Sequence, residues 1–200
     1  MARTRSQQYP EIQQRILDRA AELFAARGFR GASIAELARA CDSSKAWIYH
    51  YYDSKEAILH ALLQAHMADL LGVAARALAA SDDPETQFRA FVRESLLLYA
   101  DKPEKHVVLM NDLDNLSPEQ AEAIRAVERA LVAAVAGMLE RIDPSLAAHP
   151  QLRKPFAMMF YGLINWTYIW YDAKGPVTPP QLAQLAADLF LNGFRSNPRP

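Results

Sequence analysis

Apolar residues recur along this chain at three- and four-residue intervals, and few stretches alternate in the two-residue period of a strand. Ile12, Ile16, Ala20, Leu23 and Phe24 fall on one face of a first segment. Pro10 suits its first helical position and Gly28 is a natural stop, so the spacing predicts a helix over 10–27. Ser33 and Glu36 then form a Ser-x-x-Glu capping box that opens a short helix reaching about residue 40. Cys41-Asp42-Ser43 reads as a tight turn, and a second short helix runs from Ser44 to Tyr52. Asp53-Ser54 interrupts the pattern, with Ser54 capping a long helix to about residue 80.

The remainder repeats this logic with longer elements. Ser81-Asp82-Asp83-Pro84 opens a helix to Asp101, Pro103 opens one to Asn115, and Ser117, Pro118 and Gln120 open a capped one that ends at Asp143-Pro144. An aromatic-rich segment runs from Pro150 to Ala173, Lys174-Gly175-Pro176 is a loop, and Pro179 or Pro180 starts a last helix to Phe194. Residues 196–200 read as a frayed tail. The expected class is all-α with about nine helices. A three-helix helix-turn-helix occupies 1–53 and a helical bundle 54–200.

Composition narrows the function classes. With 51% hydrophobic and 22% charged residues over 200 positions, the chain can bury a sizeable core. The net charge of −1 hides an asymmetry: residues 1–60 carry nine Lys/Arg against seven Asp/Glu, and the rest thirteen against sixteen. A weakly basic head on an acidic body fits nucleic-acid contact at one end only. The single cysteine, Cys41, forbids an internal disulfide and reads as a small buried residue of the turn, without a resolving thiol beside it. Arg3 and Arg5 are not followed by an apolar signal segment, and no run of about 18 apolar residues is evident, so a cytoplasmic protein without a membrane partner is expected. His60, His66, His106 and His149 lack the spacing of metal ligands, and neither metal nor cofactor is expected. There is no Gly-rich phosphate loop, nucleophile elbow or His-Glu-x-x-His, and Asp112 and Asp114 beside Asn111 and Asn115 read as a solvent-facing helix end, so an enzyme is not expected.

The informative stretch is Ser33 to Glu56. Two short helices joined by a three-residue turn let the first cross a DNA backbone while the second enters the major groove. Ile34, Leu37 and Ala38 face inward against Ile48, leaving Lys45, Ala46, Trp47, Tyr49 and His50 outward, a face of donors and aromatic edges with little negative charge. Here the chain closely resembles the TetR family of transcription regulators. The resemblance rests on Ser33, on Ile48-Tyr49-His50-Tyr51-Tyr52 and on Asp53-Ser54-Lys55-Glu56, and is strongest over residues 10–60. Later it is carried by helix lengths and by the ending Trp166-x-x-x-Trp170-Tyr171. Three positions depart from the family pattern: Asp42 stands where glycine is usual in the turn, Ser43 where an apolar residue is usual, and Trp47 where a small one is common. The resemblance implies phosphate contacts for Ser33, Tyr51 and Lys55, and base-facing roles for Lys45, Ala46, Trp47 and Tyr49. His50 suits either role, and Ser44 joins the DNA-facing set at the start of the reading helix.

Residues 156–171 are apolar all round, which predicts burial on every side. In the last helix Leu182, Leu185, Ala186, Leu189, Phe190 and Gly193 form a stripe. A stripe of this kind also suits an internal core, but two successive apolar helices at the chain end favour a four-helix interface in a two-fold homodimer. Phe160, Trp166, Trp170, Leu182, Leu185, Leu189 and Phe190 are the interface candidates. A small-molecule effector is expected among Phe88, Phe91, Tyr99, His106, Met110, Asn111, Met158, Tyr161, Asn165 and Tyr168, with Asn165 the best polar anchor, because a buried amide needs a partner. The resemblance implies a repressor released from double-stranded operator DNA by an apolar or aromatic ligand, acyl-CoA thioesters included, with the long helix from Ser54 transmitting the change. A DNA-binding regulator without a ligand, or a helical enzyme, is the alternative.

Overall fold

The computed structural model describes residues 3–196, with side chains placed from Tyr9 onward; the tail read as frayed lies outside them beyond Ser196. Among the described residues every regular element is helical: α1 Arg3–Gly31, α2 Ile34–Ala40, α3 Lys45–Tyr51, α4 Lys55–Ala79, α5 Pro84–Asp101, α6 Pro103–Asp112, α7 Pro118–Ile142, α8 Pro150–Asn165, α9 Thr167–Trp170 and α10 Pro179–Ser196. Short 3-10 turns lie at Leu113–Asn115 and Pro144–Ala148. The expected caps recur. Ser33 and Glu36 close their reciprocal box, Ser44 accepts from the Trp47 amide, and Ser54 accepts from the Ala57 amide. At the start of α7, Ser117 and Gln120 exchange amide bonds. Pro10 does not start α1; it lies within a longer helix. Gly28 does interrupt it, with φ of 70°, a left-handed conformation that glycine adopts without a Cβ clash.

The chain divides into two compact units, at a boundary other than 53/54. The first comprises Met1–His66 and Glu104–Ile124, the second Met67–Pro103 and Arg125–Pro200. The first therefore takes in the opening turns of α4 and nearly all of α6. Its core holds Ile16, Ala20, Phe24, Leu37, Ile48, Ile58, Leu59, Leu62 and Val108, none above 1% exposed. Polar bonds tie α6 into it. The buried Lys105 ammonium lies 3.1 Å from the Asp18 carboxylate. Asp112 accepts the Phe29 amide at 3.1 Å, and Arg30 donates to Asn115 at 2.9 Å. Asp112 is thus buried, contrary to the solvent-facing reading of that helix end, because the chain beyond the Gly28 break brings it the Phe29 amide. His66 and His106 meet with ring nitrogens 3.5 Å apart, both 1% exposed. Burial, then the neighbouring His106 and Lys105, push the His66 pKa down to about 3.

In the second unit α5 packs along α10 and α8 along both. Phe88 stacks on Phe190 with ring centroids 5.7 Å apart and tilts against Phe160 at 4.9 Å, while Phe156 meets Phe194 edge-on. Arg89 donates to Asp188 at 2.6 Å, and Glu85 pairs with Arg89 and Arg195. Each buried ring contributes about 1.5–3 kcal/mol, and partly exposed ion pairs contribute about 0.2–1 kcal/mol. The rings hold the helices together and the charges fix their register.

Two expectations about the C-terminal half change. The aromatic segment is not one helix to Ala173: it breaks at Trp166, where the Thr167 hydroxyl donates to the Ile164 carbonyl at 2.7 Å and turns the backbone aside. Nor is it buried on every side. Phe156, Ala157, Phe160 and Ile164 are internal, whereas Met158, Met159, Leu163, Trp166, Ile169 and Trp170 are exposed. A third correction concerns α4, which is long and apolar enough to cross a membrane by length and composition. In this structure Ile58, Leu59, Leu62, Leu63 and Met67 bury its apolar face as a core helix.

Candidate nucleic-acid interface and effector region

The α2–α3 pair is fixed from both ends. The Ser33 hydroxyl and amide donate to the Glu36 carboxylate at 2.7 and 3.0 Å, which holds that carboxyl below its usual range, and the hydroxyl accepts the Glu36 amide at 3.3 Å; Arg27 pairs with the same carboxylate. In the turn Asp42 takes φ of 50°, which short polar side chains tolerate, so the position usual for glycine is filled without losing the conformation. Ser43 closes α2 by donating its amide and hydroxyl to the Ala38 carbonyl at 2.9 and 3.3 Å, a polar substitute for apolar packing. Cys41 is buried, and burial raises its thiol pKa, as suits an inert turn residue.

Ile48 anchors α3 in the core at 0% exposure, and Ser44, Lys45, Ala46, Tyr49 and His50 face outward. Trp47 does not join them fully. Its ring is half-buried beneath the Arg15 guanidinium, 5.5 Å from its centroid, and 5.0 Å from the Tyr51 ring. Tyr51 in turn packs on Tyr9 at 4.9 Å. Tyr9 and Arg15 therefore buttress the reading helix, a role no local motif in α1 signals.

Lys55 is the larger correction. Its ammonium does not stand free for a phosphate. It donates to the carbonyls of Phe29 and Ala32, both at 2.8 Å, and lies 4.2 Å from the centre of the Phe29 ring. These carbonyls follow the Gly28 break; the Phe29 oxygen also accepts the Ala32 amide at 3.3 Å, and the cation at the start of α4 supplies a further donor to each.

The effector candidates fall in both units. His106, Met110 and Asn111 belong to the first, where His106 faces His66 and Asn111 is exposed, bonded to the Val107 carbonyl at 2.8 Å. In the second, Phe88 and Phe91 are core residues and Met158 is 49% exposed, on the surface side of α8. Tyr168 is half-buried with its ring 6.2 Å from Trp166. Tyr99, Tyr161 and Asn165 do gather. Tyr99 donates to Asn165 at 3.0 Å, the Tyr161 ring meets Phe91 at 6.4 Å, and burial raises both phenol pKa values, so both remain protonated. Ser95, on the same face of α5, is buried there too; its place between Phe91 and Tyr99 at four-residue spacing was the available signal.

Of the dimer candidates, Trp166, Trp170, Leu185 and Leu189 stand 52–62% exposed; Met158, Met159, Leu163 and Ile169 are exposed as well. Phe190 is half-buried in the ring cluster. Phe160 and Leu182 are buried inside their own unit and present no surface to a partner.

Known proteins share this arrangement. A family model described as "Bacterial regulatory proteins, tetR family" matches residues 16–62, and one described as "Tetracyclin repressor-like, C-terminal domain" matches residues 81–194. The HTH-type transcriptional repressor KstR2 of Rhodococcus jostii is 27% identical over 192 residues, 90% of each chain. A TetR-family transcriptional regulator of Bordetella parapertussis superimposes with a TM-score of 0.88 at 40% identity, covering 94% of this chain and 98% of its own. The AibR structure in complex with isovaleryl coenzyme A and operator DNA superimposes with a TM-score of 0.76 at 25% identity, covering 89% and 97%. With both family models matched and the reading helix exposed between its caps, the chain belongs to the TetR family of bacterial transcriptional regulators.

Proposed function

We propose that the chain is a homodimeric repressor that holds a near-palindromic operator through α3 and leaves it when a mostly apolar small molecule enters the second unit. The observation that carries this reading is the outward face of α3, where Lys45, Ala46, Tyr49 and His50 stand exposed while Ile48 locks the helix into the core. The exposed apolar side of α8 and α10 supports pairing of two copies, because a patch of this character is costly to leave in water. That AibR is described with both an acyl thioester and operator DNA supports a ligand-responsive switch in this fold. A ligand favours release only by its differential affinity for the free and DNA-bound states. The test is fluorescence anisotropy of the purified protein with DNA from upstream of its own gene. A specific complex that weakens steeply with salt is expected, and absence of one at any salt sinks the operator reading.

A further inference from the structure

The face of α5 that carries Phe91, Ser95 and Tyr99 repeats every four residues and lies within the core of the second unit. Opposite it, α8 presents Tyr161 and Asn165, also four apart. The Tyr161 ring meets Phe91 with centroids 6.4 Å apart, and Asn165, one turn on, meets Tyr99, so these two contacts bracket the turn that carries Ser95. The Tyr99 hydroxyl donates to the Asn165 oxygen at 3.0 Å. Two other hydroxyls in this group make no such bond: the Tyr161 oxygen and the Ser95 oxygen are both buried without a hydrogen-bond partner.

That is an unusual state for these groups. A hydroxyl is both donor and acceptor, and a helical serine can turn back to the carbonyl of the preceding turn. Thr167, buried in the same unit, does so at 2.7 Å; Ser95 does not. Leaving two hydroxyls dry and unpaired is costly, and natural cores rarely tolerate it without a use. The surroundings fix the kind of use. Phe91, Val92, Leu96 and Ile164 are apolar, and none of the five residues of the cluster carries a formal charge. On α5 the nearest charges are engaged or turned away: Glu94 pairs with Arg76 at 2.9 Å, and Arg93 is exposed. A carboxylate placed here would be a buried, unpaired ion.

Resting on the reading of the second unit as effector-binding, we infer that Ser95 and Tyr161 form the polar end of the effector site and donate to a neutral carbonyl oxygen, of a ketone or a thioester, on an otherwise apolar ligand. Asn165, the expected anchor, accepts from Tyr99 through its oxygen, which fixes its amide beside this pair.

Four probes of one skeleton test this by titration calorimetry on the full-length protein at pH 7: 4-phenylbutan-2-one, the S-methyl thioester of 3-phenylpropanoic acid, 3-phenylpropanoate and butylbenzene. At least one carbonyl probe should bind about tenfold tighter than butylbenzene, and the tighter of the two tells ketone from thioester. Tyr161→Phe and Ser95→Ala should each cut that advantage to about threefold or less. Both should leave butylbenzene affinity unchanged and the melting temperature equal or higher, which a merely structural role for these hydroxyls would not allow. Tightest binding by the carboxylate overturns the inference. So does equal affinity for carbonyl probes and butylbenzene, which would mean that the hydroxyls are served by water; the effector reading itself would then stand. Failure of all four to bind up to their solubility limits overturns that reading and the inference with it.

Discussion

The Lys55 ammonium has two carbonyls and a ring to hold it, and this sets a sharp expectation for single substitutions. Charge-assisted bonds of this kind are each worth about 1.5–3 kcal/mol and do not add fully, so Lys55→Ala should cost about 2–4 kcal/mol in urea unfolding. Its effect on DNA should follow from lost folding, with the salt dependence of the remaining complex unchanged. Lys45→Ala should do the reverse: stability within about 0.5 kcal/mol of wild type, and a salt slope reduced by about 1. Equal salt slopes for the two variants would reject this division. Tyr49 and Trp47 divide in the same way. Tyr49→Ala should alter the selected sequence at one base pair by about 1–3 kcal/mol. Trp47→Ala, which removes the ring under Arg15, should lower the melting temperature at least as much as it alters specificity.

At the level of elements, the His66–His106 contact joins α4 to α6 and makes the first unit sensitive to acid. The folded His66 pKa is pushed down to about 3, by burial first, whereas an unfolded histidine titrates near about 6.5. Between those values the unfolded chain binds the extra proton, so stability falls as pH drops below about 6.5 and is unaffected by this group above it. His66→Gln should remove about one proton from the slope of unfolding free energy against pH between 6 and 4; an unchanged slope would show that His66 takes up its proton alike in the folded and unfolded states. Much of the element layout was legible, because capping boxes and proline positions are local: Ser33 with Glu36, Ser117 with Gln120, and Pro84 after Asp83 each placed a helix start. What could not be read was long-range. Nothing near Lys55 announces that the Gly28 break leaves carbonyls for it, and nothing near Asp112 announces the Phe29 amide. Periodicity alone cannot divide an all-apolar segment into a core side bearing Phe160 and an exposed side bearing Met159.

For the whole molecule, the proposed pairing of two copies rests on the exposed apolar side of α8 and α10. Leu189 is 62% exposed, so Leu189→Glu should fold and yet sediment as a monomer at micromolar concentration, with operator affinity lost. A dimeric Leu189→Glu variant would place the interface elsewhere. The division of the chain carries one more consequence. Because residues 104–124 belong to the same compact unit as the reading helices, the DNA-binding head is not a cassette that can be cut from the front of the gene. A peptide ending at residue 53 would lose Lys55 from its carbonyls and Asp112 from the Phe29 amide, and should show little helical signal and no cooperative melt. A chimera that gives this head to another sensor would need to transplant two separated stretches of sequence. Recombination that exchanges only the N-terminal third would be selected against, and the specificity of this regulator would change by substitutions on α3 more readily than by shuffling.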